Sequence, residues 1–169
     1  HEFTPPDLIP AYKSLSEDLI QRVTWCYQRC PDLRLIRTHG DCHRGNILWT
    51  EEGPHLVDLD DSRMAPAAQD LWMFLSGERE EREHTLSTLL EGYSVFKDFD
   101  PAELNLIEAL RTLRLMHYFA WIARRWVDPA FPRAFPWFNT PRSWEQHILD
   151  LREQAALMDE PPLAWQPID

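Results

Sequence analysis

A short polar segment between two apolar stretches constrains this chain more than any other feature. Residues 38–49 read THGDCHRGNILW, and after the turn EEGP the chain continues as LVDLDD at residues 56–61. Ile47 to Trp49 and Leu56 to Leu59 are predicted to form two short strands joined by that turn, which makes a small hairpin. The polar residues then lie in loops at strand ends, where functional side chains are usually presented. A polar turn without chemistry is the simplest alternative.

The spacing of this segment is typical of a phosphoryl-transfer loop. His39, Asp41 and Asn46 follow the order H-x-D-x-x-x-x-N of kinase catalytic loops, with Gly40 where protein kinases commonly have arginine. A carboxylate at Asp41 can accept the proton of a hydroxyl that attacks the terminal phosphate of ATP. The amide oxygen of Asn46 is a hard, neutral ligand suited to magnesium. The spacing therefore predicts Asp41 as the catalytic base and Asn46 as a metal ligand.

A kinase site needs a second carboxylate for the metal ion that bridges the nucleotide phosphates. In protein kinases the aspartate of D-F-G supplies it from a hairpin just beyond the asparagine. Asp58 occupies that place here, with Leu59 and Asp60 instead of Phe and Gly. Asp58 is therefore predicted to be the second magnesium ligand. Asp60 and Asp61 either add metal ligands or cap the following turn.

The two histidines of the segment suggest a different metal. His39 and His43 together with Asp41 could form a zinc site. A histidine pair four residues apart binds one metal from a helix, however, and Gly40 and Gly45 disfavour a helix here. We therefore expect His39 to buttress the loop through hydrogen bonds, and His43 to support the ligands rather than bind the metal.

Asp70, which follows the sequence PAAQ, has two compatible interpretations. It can cap a helix that starts at Leu71. It can also be a buried carboxylate that reaches back to backbone amides of the loop at residues 39–46 and makes that loop rigid.

Composition restricts the partners of the chain. A net charge of -11 argues against a nucleic-acid backbone or an anionic membrane surface as the main partner, because both would repel the protein. The most apolar stretch, Leu110 to Trp126, contains four arginines and is not expected to span a membrane. The three cysteines match no CxxC spacing, which favours reduced thiols and a cytoplasmic location.

Helical periodicity dominates the rest of the 169 residues. Ser14 and Glu17 form a capping box, and a proline-rich arm precedes them. The predicted helices run from Ser14 to Cys30, from Leu71, from Arg82 to Phe96, from Asp100 to Trp126 and from Thr140 through Ala155. A connector rich in proline and aromatic residues, DPAFPRAFPWFNTP, is expected to fold back on the helices. The predicted fold class is mainly α (α+β), a helical bundle with a small β-hairpin that carries the catalytic and metal loops.

The motifs resemble those of a known kinase family. HGDCHRGNILW followed by VDLDD and PAAQDLW is similar to the C-terminal lobe of the aminoglycoside-phosphotransferase-like kinases. With RRWVDPAFPRAFPWF downstream, nearly the whole chain looks like a bacterial subgroup of stress-response serine/threonine protein kinases. The resemblance implies ATP as phosphoryl donor and Mg²⁺ as cofactor, with Asp41 as base, Asn46 and Asp58 as metal ligands and Asp70 as a structural aspartate. It also implies phosphorylation of serine and threonine hydroxyls in proteins, including the kinase itself.

One part of the family pattern is missing from this sequence. No glycine-rich phosphate loop and no V-A-I-K-like lysine precedes His39, and the 38 residues before it are too few for a nucleotide-clamping sheet. We therefore expect residues 1–13 to be a linker from an N-terminal kinase lobe of the same protein. Residues 14–160 are then the C-terminal catalytic lobe, and residues 161–169 a tail. A small-molecule kinase for an amino alcohol, a sugar or an antibiotic, and a non-catalytic interaction module, remain as alternatives.

Overall fold

The computed structural model of the chain describes residues 3–165. The chain divides into two compact units, one formed by residues 1–26 and 108–160 and the other by residues 27–107 and 161–169. Helices dominate, and the strands are short and antiparallel, so the predicted fold class is confirmed. Residues 166–169 of the predicted tail lie outside the described residues.

Among residues 3–165 there are five α-helices. They are α1 (Ile9–Gln28), α2 (Arg79–Ser94), α3 (Ile107–Arg125), α4 (Ala130–Ala134) and α5 (Pro141–Asp159). Helix α5 starts where the sequence predicts, because the Thr140 side chain accepts a hydrogen bond from the Ser143 amide and Pro141 needs no donor there. In this part of the chain no helix combines the length and the apolar character required to cross a bilayer.

Helix α1 begins earlier than predicted. Its first residue is Ile9, so the predicted capping box at Ser14 and Glu17 is wrong and those residues lie within the helix. Pro10 lies in the first turn, where a missing N–H costs no helical hydrogen bond, so the proline-rich sequence can be helical from that point. Residues 1 and 2 of the predicted arm are not among the described residues.

Aromatic side chains fill the core of the unit formed by residues 1–26 and 108–160. Its buried centre is Ile122, Phe138 and Trp144. The proline-aromatic connector folds back as predicted, because Phe131 and Phe135 pack against this centre. On α5, His147 is 2% exposed.

The unit formed by residues 27–107 and 161–169 contains the strands. They are β1 (Ile36–Thr38), β2 (Ile47–Thr50), β3 (Gly53–Leu56) and β4 (Arg63–Ala65). Strands β2 and β3 form the predicted hairpin, with Ile47 opposite Leu56. Strand β3 ends at Leu56 rather than starting there, because the turn is only two residues long and Pro54 is tolerated in a strand with a free edge. Strand β1 pairs with β4, and Thr38 lies opposite Arg63.

The segment that follows β4 is not the predicted α-helix. The α-helix predicted from Leu71 is only the 3-10 helix Trp72–Phe74, and a second 3-10 helix, Ala67–Asp70, precedes it. The Asp70 side chain does not cap a helix. The carboxylate of Glu103, 4% exposed, accepts a hydrogen bond of 2.9 Å from the amide of Ala68. A contact from elsewhere in the unit therefore holds the segment before Leu71.

Candidate active site

Two loops carry the predicted site residues, and the strand pairing brings them together. Loop A comprises residues 39–46 and leaves the end of β1, whereas loop B comprises residues 57–62 and leads into β4. Because β1 and β4 are antiparallel neighbours, the end of one strand lies beside the start of the other, and both loops emerge at that edge. The hairpin of β2 and β3 connects them.

Asp70 holds the start of loop A. Its carboxylate oxygens accept hydrogen bonds from the amides of His39, at 2.7 Å, and Gly40, at 2.9 Å. Hydrogen bonds to an ionised carboxylate are stronger than those between neutral groups. Of the two interpretations of Asp70, the structure supports the one in which its carboxylate binds the loop amides. Asp70 does not cap a helix.

His39 joins the two loops. Its Nε2 lies 2.8 Å from the carbonyl oxygen of Val57, and its Nδ1 lies 3.4 Å from the amide nitrogen of Asp41. A carbonyl oxygen only accepts and an amide N–H only donates, so the ring carries its hydrogen on Nε2. The imidazole thus contacts the peptide bond that precedes Asp58 and the amide of Asp41.

A backbone hydrogen bond joins the segments that carry the two predicted metal ligands, Asn46 and Asp58. The backbone oxygen of Asn46 accepts a hydrogen bond of 3.0 Å from the amide of Val57, the residue before Asp58. The side-chain nitrogen of Asn46 donates to the carbonyl of Asp41, also at 3.0 Å, and this bond leaves the amide oxygen as the atom available to a cation. Asp58 is exposed and adopts a left-handed backbone at φ 62°, which a short polar residue tolerates better than most.

The donor set fits magnesium better than zinc. Asn46 and Asp58 offer oxygen atoms, which Mg²⁺ prefers, and a nucleotide supplies further oxygen ligands in kinase sites. Asp60 and Asp61 are exposed in the 3-10 turn Leu59–Asp61 that follows directly. Within residues 3–165, no group of three or more histidine, cysteine, aspartate or glutamate side chains is arranged to hold a metal ion. The zinc alternative therefore gains no support from the described part of the chain.

Asp41 has a histidine neighbour within loop A. Its side chain is 15% exposed, and its Oδ2 lies 3.6 Å from Nε2 of His43. The other ring nitrogen of His43 accepts a hydrogen bond of 3.0 Å from the Gly45 amide. Between these residues Cys42 is buried, and burial, together with the charges of Asp70 and Asp41, raises the pKa of its thiol to about 11.

Three contacts of Gly40 have no sequence motif to signal them. Gly40 adopts φ 88°, and a β-carbon added to it would lie 2.8 Å from the carbonyl carbon of Asp61 in loop B. The carbonyl oxygen of Gly40 accepts hydrogen bonds from Nε2 of Gln69, at 3.0 Å, and Nη2 of Arg63, at 3.3 Å. The sequence analysis noted Gly40 as a departure from arginine and as a residue that disfavours a helix, and it gave Gln69 and Arg63 no role.

The chain is mainly helical, and loop A carries an H-x-D-x-x-x-x-N segment while loop B carries the carboxylate of Asp58. This arrangement is typical of a kinase-like phosphotransferase. The model of the family described as "Phosphotransferase enzyme family" matches residues 4–107, which include both loops and Asp70. The match covers more than half of the chain, and the chain therefore belongs to the phosphotransferase enzyme family.

The chain is also similar to individual bacterial proteins that are named as kinases. The chain is 46% identical over 164 residues to stress response kinase A of Escherichia coli (strain K12), which is 97% of this chain and 49% of that protein. It is 45% identical over 164 residues to stress response kinase A of Shigella flexneri, again 97% of this chain and 49% of the relative. It is also 46% identical to serine/threonine protein kinase RdoA of Salmonella typhimurium (strain LT2) over 158 residues. These residues are 94% of this chain and 47% of that protein.

The chain spans about half the length of the curated relatives it matches. Their similarity confirms the resemblance to bacterial stress-response kinases that the motifs indicated. Family membership and the names of these relatives support a kinase.

Proposed function

We propose that this chain is the C-terminal catalytic lobe of a serine/threonine protein kinase that transfers the terminal phosphoryl group of ATP to proteins, itself included. The observation that carries the proposal is the pair of hydrogen bonds at Val57. Its carbonyl accepts from His39 and its amide donates to Asn46, so the loop with Asp41 and the loop with Asp58 form one bonded structure. A kinase needs a base and a metal-binding carboxylate in fixed relation.

Asp41 is the base in this mechanism. Its carboxylate is 15% exposed, so a substrate hydroxyl can reach it, while its backbone is held through His39. Asp41 orients the attacking hydroxyl and accepts its proton as the bond to phosphorus forms. His43, with Nε2 3.6 Å from Oδ2 of Asp41, stays beside the carboxylate that takes up this proton.

Asn46 and Asp58 are the residues that would hold magnesium, with Asp60 as a further carboxylate. Their oxygen-only donor set and the exposure of Asp58 fit such an ion. When bound, magnesium neutralises negative charge on the phosphate oxygens. The left-handed backbone at Asp58 directs the chain from the peptide bond held by His39 into the turn that carries Asp60.

The biological setting is part of the same proposal. Relatives named stress response kinase A and serine/threonine protein kinase RdoA support a role in a stress response and a protein as substrate. The thiols of Cys26, Cys30 and Cys42 agree with a cytoplasmic location. The chain spans about half the length of its curated relatives, which supports an N-terminal lobe of the same protein as the source of the contacts to ATP.

Phosphoryl transfer from labelled ATP with magnesium tests the proposal in the full-length protein. Asp41→Asn should lower transfer to a generic basic protein by about 10²–10⁴-fold, because general-base catalysis contributes that much. Asp98→Asn is the matched control, since Asp98 is an exposed aspartate outside both loops, and it should keep full activity.

The acceptor decides between the proposal and its alternatives. Label on protein that requires Asp41 supports a protein kinase. Label only on an aminoglycoside or amino alcohol, assayed in parallel, would replace it with a small-molecule kinase. If Asp41→Asn transfers as much label as the wild type, Asp41 is not the base. If neither protein transfers label to any acceptor, an interaction module becomes the better interpretation.

A further inference from the structure

We infer that Gln69 is a positioning residue for the catalytic base, because it holds the peptide bond through which Asp41 is attached to Gly40. The inference rests on the proposed function, in which Asp41 is the base. Nε2 of Gln69 donates a hydrogen bond of 3.0 Å to the carbonyl oxygen of Gly40. That oxygen belongs to the same planar unit as the amide nitrogen of Asp41.

The planar unit between Gly40 and Asp41 is held at both ends. Gln69 and Arg63 donate to its oxygen, at 3.0 and 3.3 Å, and its N–H faces Nδ1 of His39 at 3.4 Å. If this plane turned, the direction of the bond from the backbone of Asp41 to its carboxylate would turn with it. The bond from Gln69 is the shortest of the three and therefore contributes most to the orientation.

Because residue 40 is glycine, the orientation of its peptide bond requires a hydrogen-bond donor from another segment. A glycine backbone rotates more freely than any other, because no β-carbon restricts it. The close approach of Asp61 in turn excludes a side chain that could restrict residue 40 locally. The orientation of the peptide bond therefore depends on hydrogen bonds from other segments.

The donor of Gln69 is well placed for this task. Gln69 is 6% exposed, so water does not compete for its hydrogen bond, whereas Arg63 is exposed. Asp70, the next residue, holds the amide of Gly40, so two consecutive residues hold the two polar backbone groups of one glycine. Glu103 fixes the segment that carries both residues through the Ala68 amide.

A positioning role predicts a specific kinetic defect. Gln69→Met keeps the length of the side chain and removes the donor. In the full-length protein it should lower kcat by about 10–100-fold, because misplacement of a catalytic group by about 1 Å can cost 10²-fold. The KM for ATP with magnesium should stay within about twofold, since Gln69 contacts neither Asn46 nor Asp58 through any hydrogen bond described above.

Gln154→Met is the matched control. Gln154 is 3% exposed and donates hydrogen bonds of 3.1 and 2.9 Å to the backbone oxygen and carboxylate of Glu108, in the other unit. Both variants lose a buried glutamine donor, and the melting temperature of each is measured. Only Gln69→Met should lower kcat when both are assayed well below their melting temperatures.

Combination with Asp41→Asn separates positioning from a structural effect. If Gln69 acts through Asp41, the double variant should be as slow as Asp41→Asn alone. A further multiplicative loss, or an unchanged kcat in Gln69→Met, would overturn the inference while the large effect of Asp41→Asn leaves the proposed function standing. Wild-type rates in Asp41→Asn would instead overturn the proposed function.

If Gln69→Met does not fold, a second variant tests the inference. Arg63→Met removes the exposed donor to the same carbonyl oxygen, at a site where folding does not depend on burial. It should lower kcat several-fold with the KM for ATP unchanged. An unchanged kcat in that variant would count against control of the Gly40 carbonyl.

Discussion

At Gly40, the backbone of loop A packs directly against the backbone of loop B. The φ of Gly40, 88°, lies in the left-handed region, and the backbone of Asp61 occupies the space that a side chain would need. An arginine, common at this place in protein kinases, therefore does not fit the backbone observed here. The departure from the common pattern follows from direct backbone packing between the loops.

Gly40→Ala should destabilise the protein. The left-handed backbone costs a side-chain-bearing residue about 1–3 kcal/mol, and displacement of Asp61 adds to that cost. Gly92→Ala is the control, because Gly92 lies within α2 with open space around it, and alanine there should add about 0.5–1 kcal/mol of stability. Urea unfolding midpoints measure both, and a Gly40→Ala midpoint equal to that of the wild type would contradict the packing argument.

The residues proposed for the site could be proposed from the sequence because they lie close together in it, whereas the hydrogen bonds that distant residues make to them could not. Asp41, Asn46 and Asp58 stand at fixed short intervals, and short intervals define a motif. Gln69 is 29 residues from Gly40, and nothing in a single sequence couples the two. Asp70 had two interpretations because the choice between them depends on which amides the fold brings near its carboxylate.

At the scale of elements, helices α3 and α5 pack through an aromatic stack that contains a histidine. The rings of Phe119 on α3 and His147 on α5 have centroids 3.6 Å apart and planes within 6°. Burial lowers the pKa of His147 to about 4, with the charge of Asp150 acting weakly in the opposite direction. The stack therefore contains a neutral imidazole at pH 7.

Acid should weaken the packing of these helices. The unfolded chain binds a proton at His147 near pH 6.5 and the folded chain only near pH 4, so stability falls as pH decreases between these values. At pH 5 the loss from this residue is about 2 kcal/mol relative to pH 7.5. Unfolding midpoints at both pH values, compared between the wild type and His147→Phe, measure it. The variant should lose less stability, and an equal loss in both proteins would contradict the assignment.

Element boundaries followed from the sequence only where a local signal decides them. Thr140 and Pro141 start α5 as predicted, because cap and proline act within one turn. The helix predicted from Leu71 is only the 3-10 turn Trp72–Phe74, because Asp70 bonds to loop A instead of capping it, while Glu103 holds the preceding segment at Ala68. The early start of α1 shows that Pro10 permits a helix when it lies in the first turn.

At the scale of the whole molecule, the proposed base and metal ligands lie in a chain that spans about half the length of its curated relatives. Residues 1–169 alone should therefore bind ATP weakly and transfer phosphate at least ~100-fold more slowly than the full-length protein, because positioning of the phosphates is lost. Circular dichroism would establish that the isolated chain is folded, and kcat/KM for ATP would be compared between the two proteins. Equal values would show that the N-terminal lobe is not needed.

The buried cysteine of loop A affects how the protein withstands oxidants. With a pKa of about 11, roughly one Cys42 in ten thousand is a thiolate at pH 7, and the thiolate is the form that peroxide attacks. Sulfenic acid therefore forms slowly at the residue between Asp41 and His43. If loop A is catalytic as proposed, Cys42 stays chemically intact under oxidants, where an exposed, ionised thiol at the same position would be oxidised.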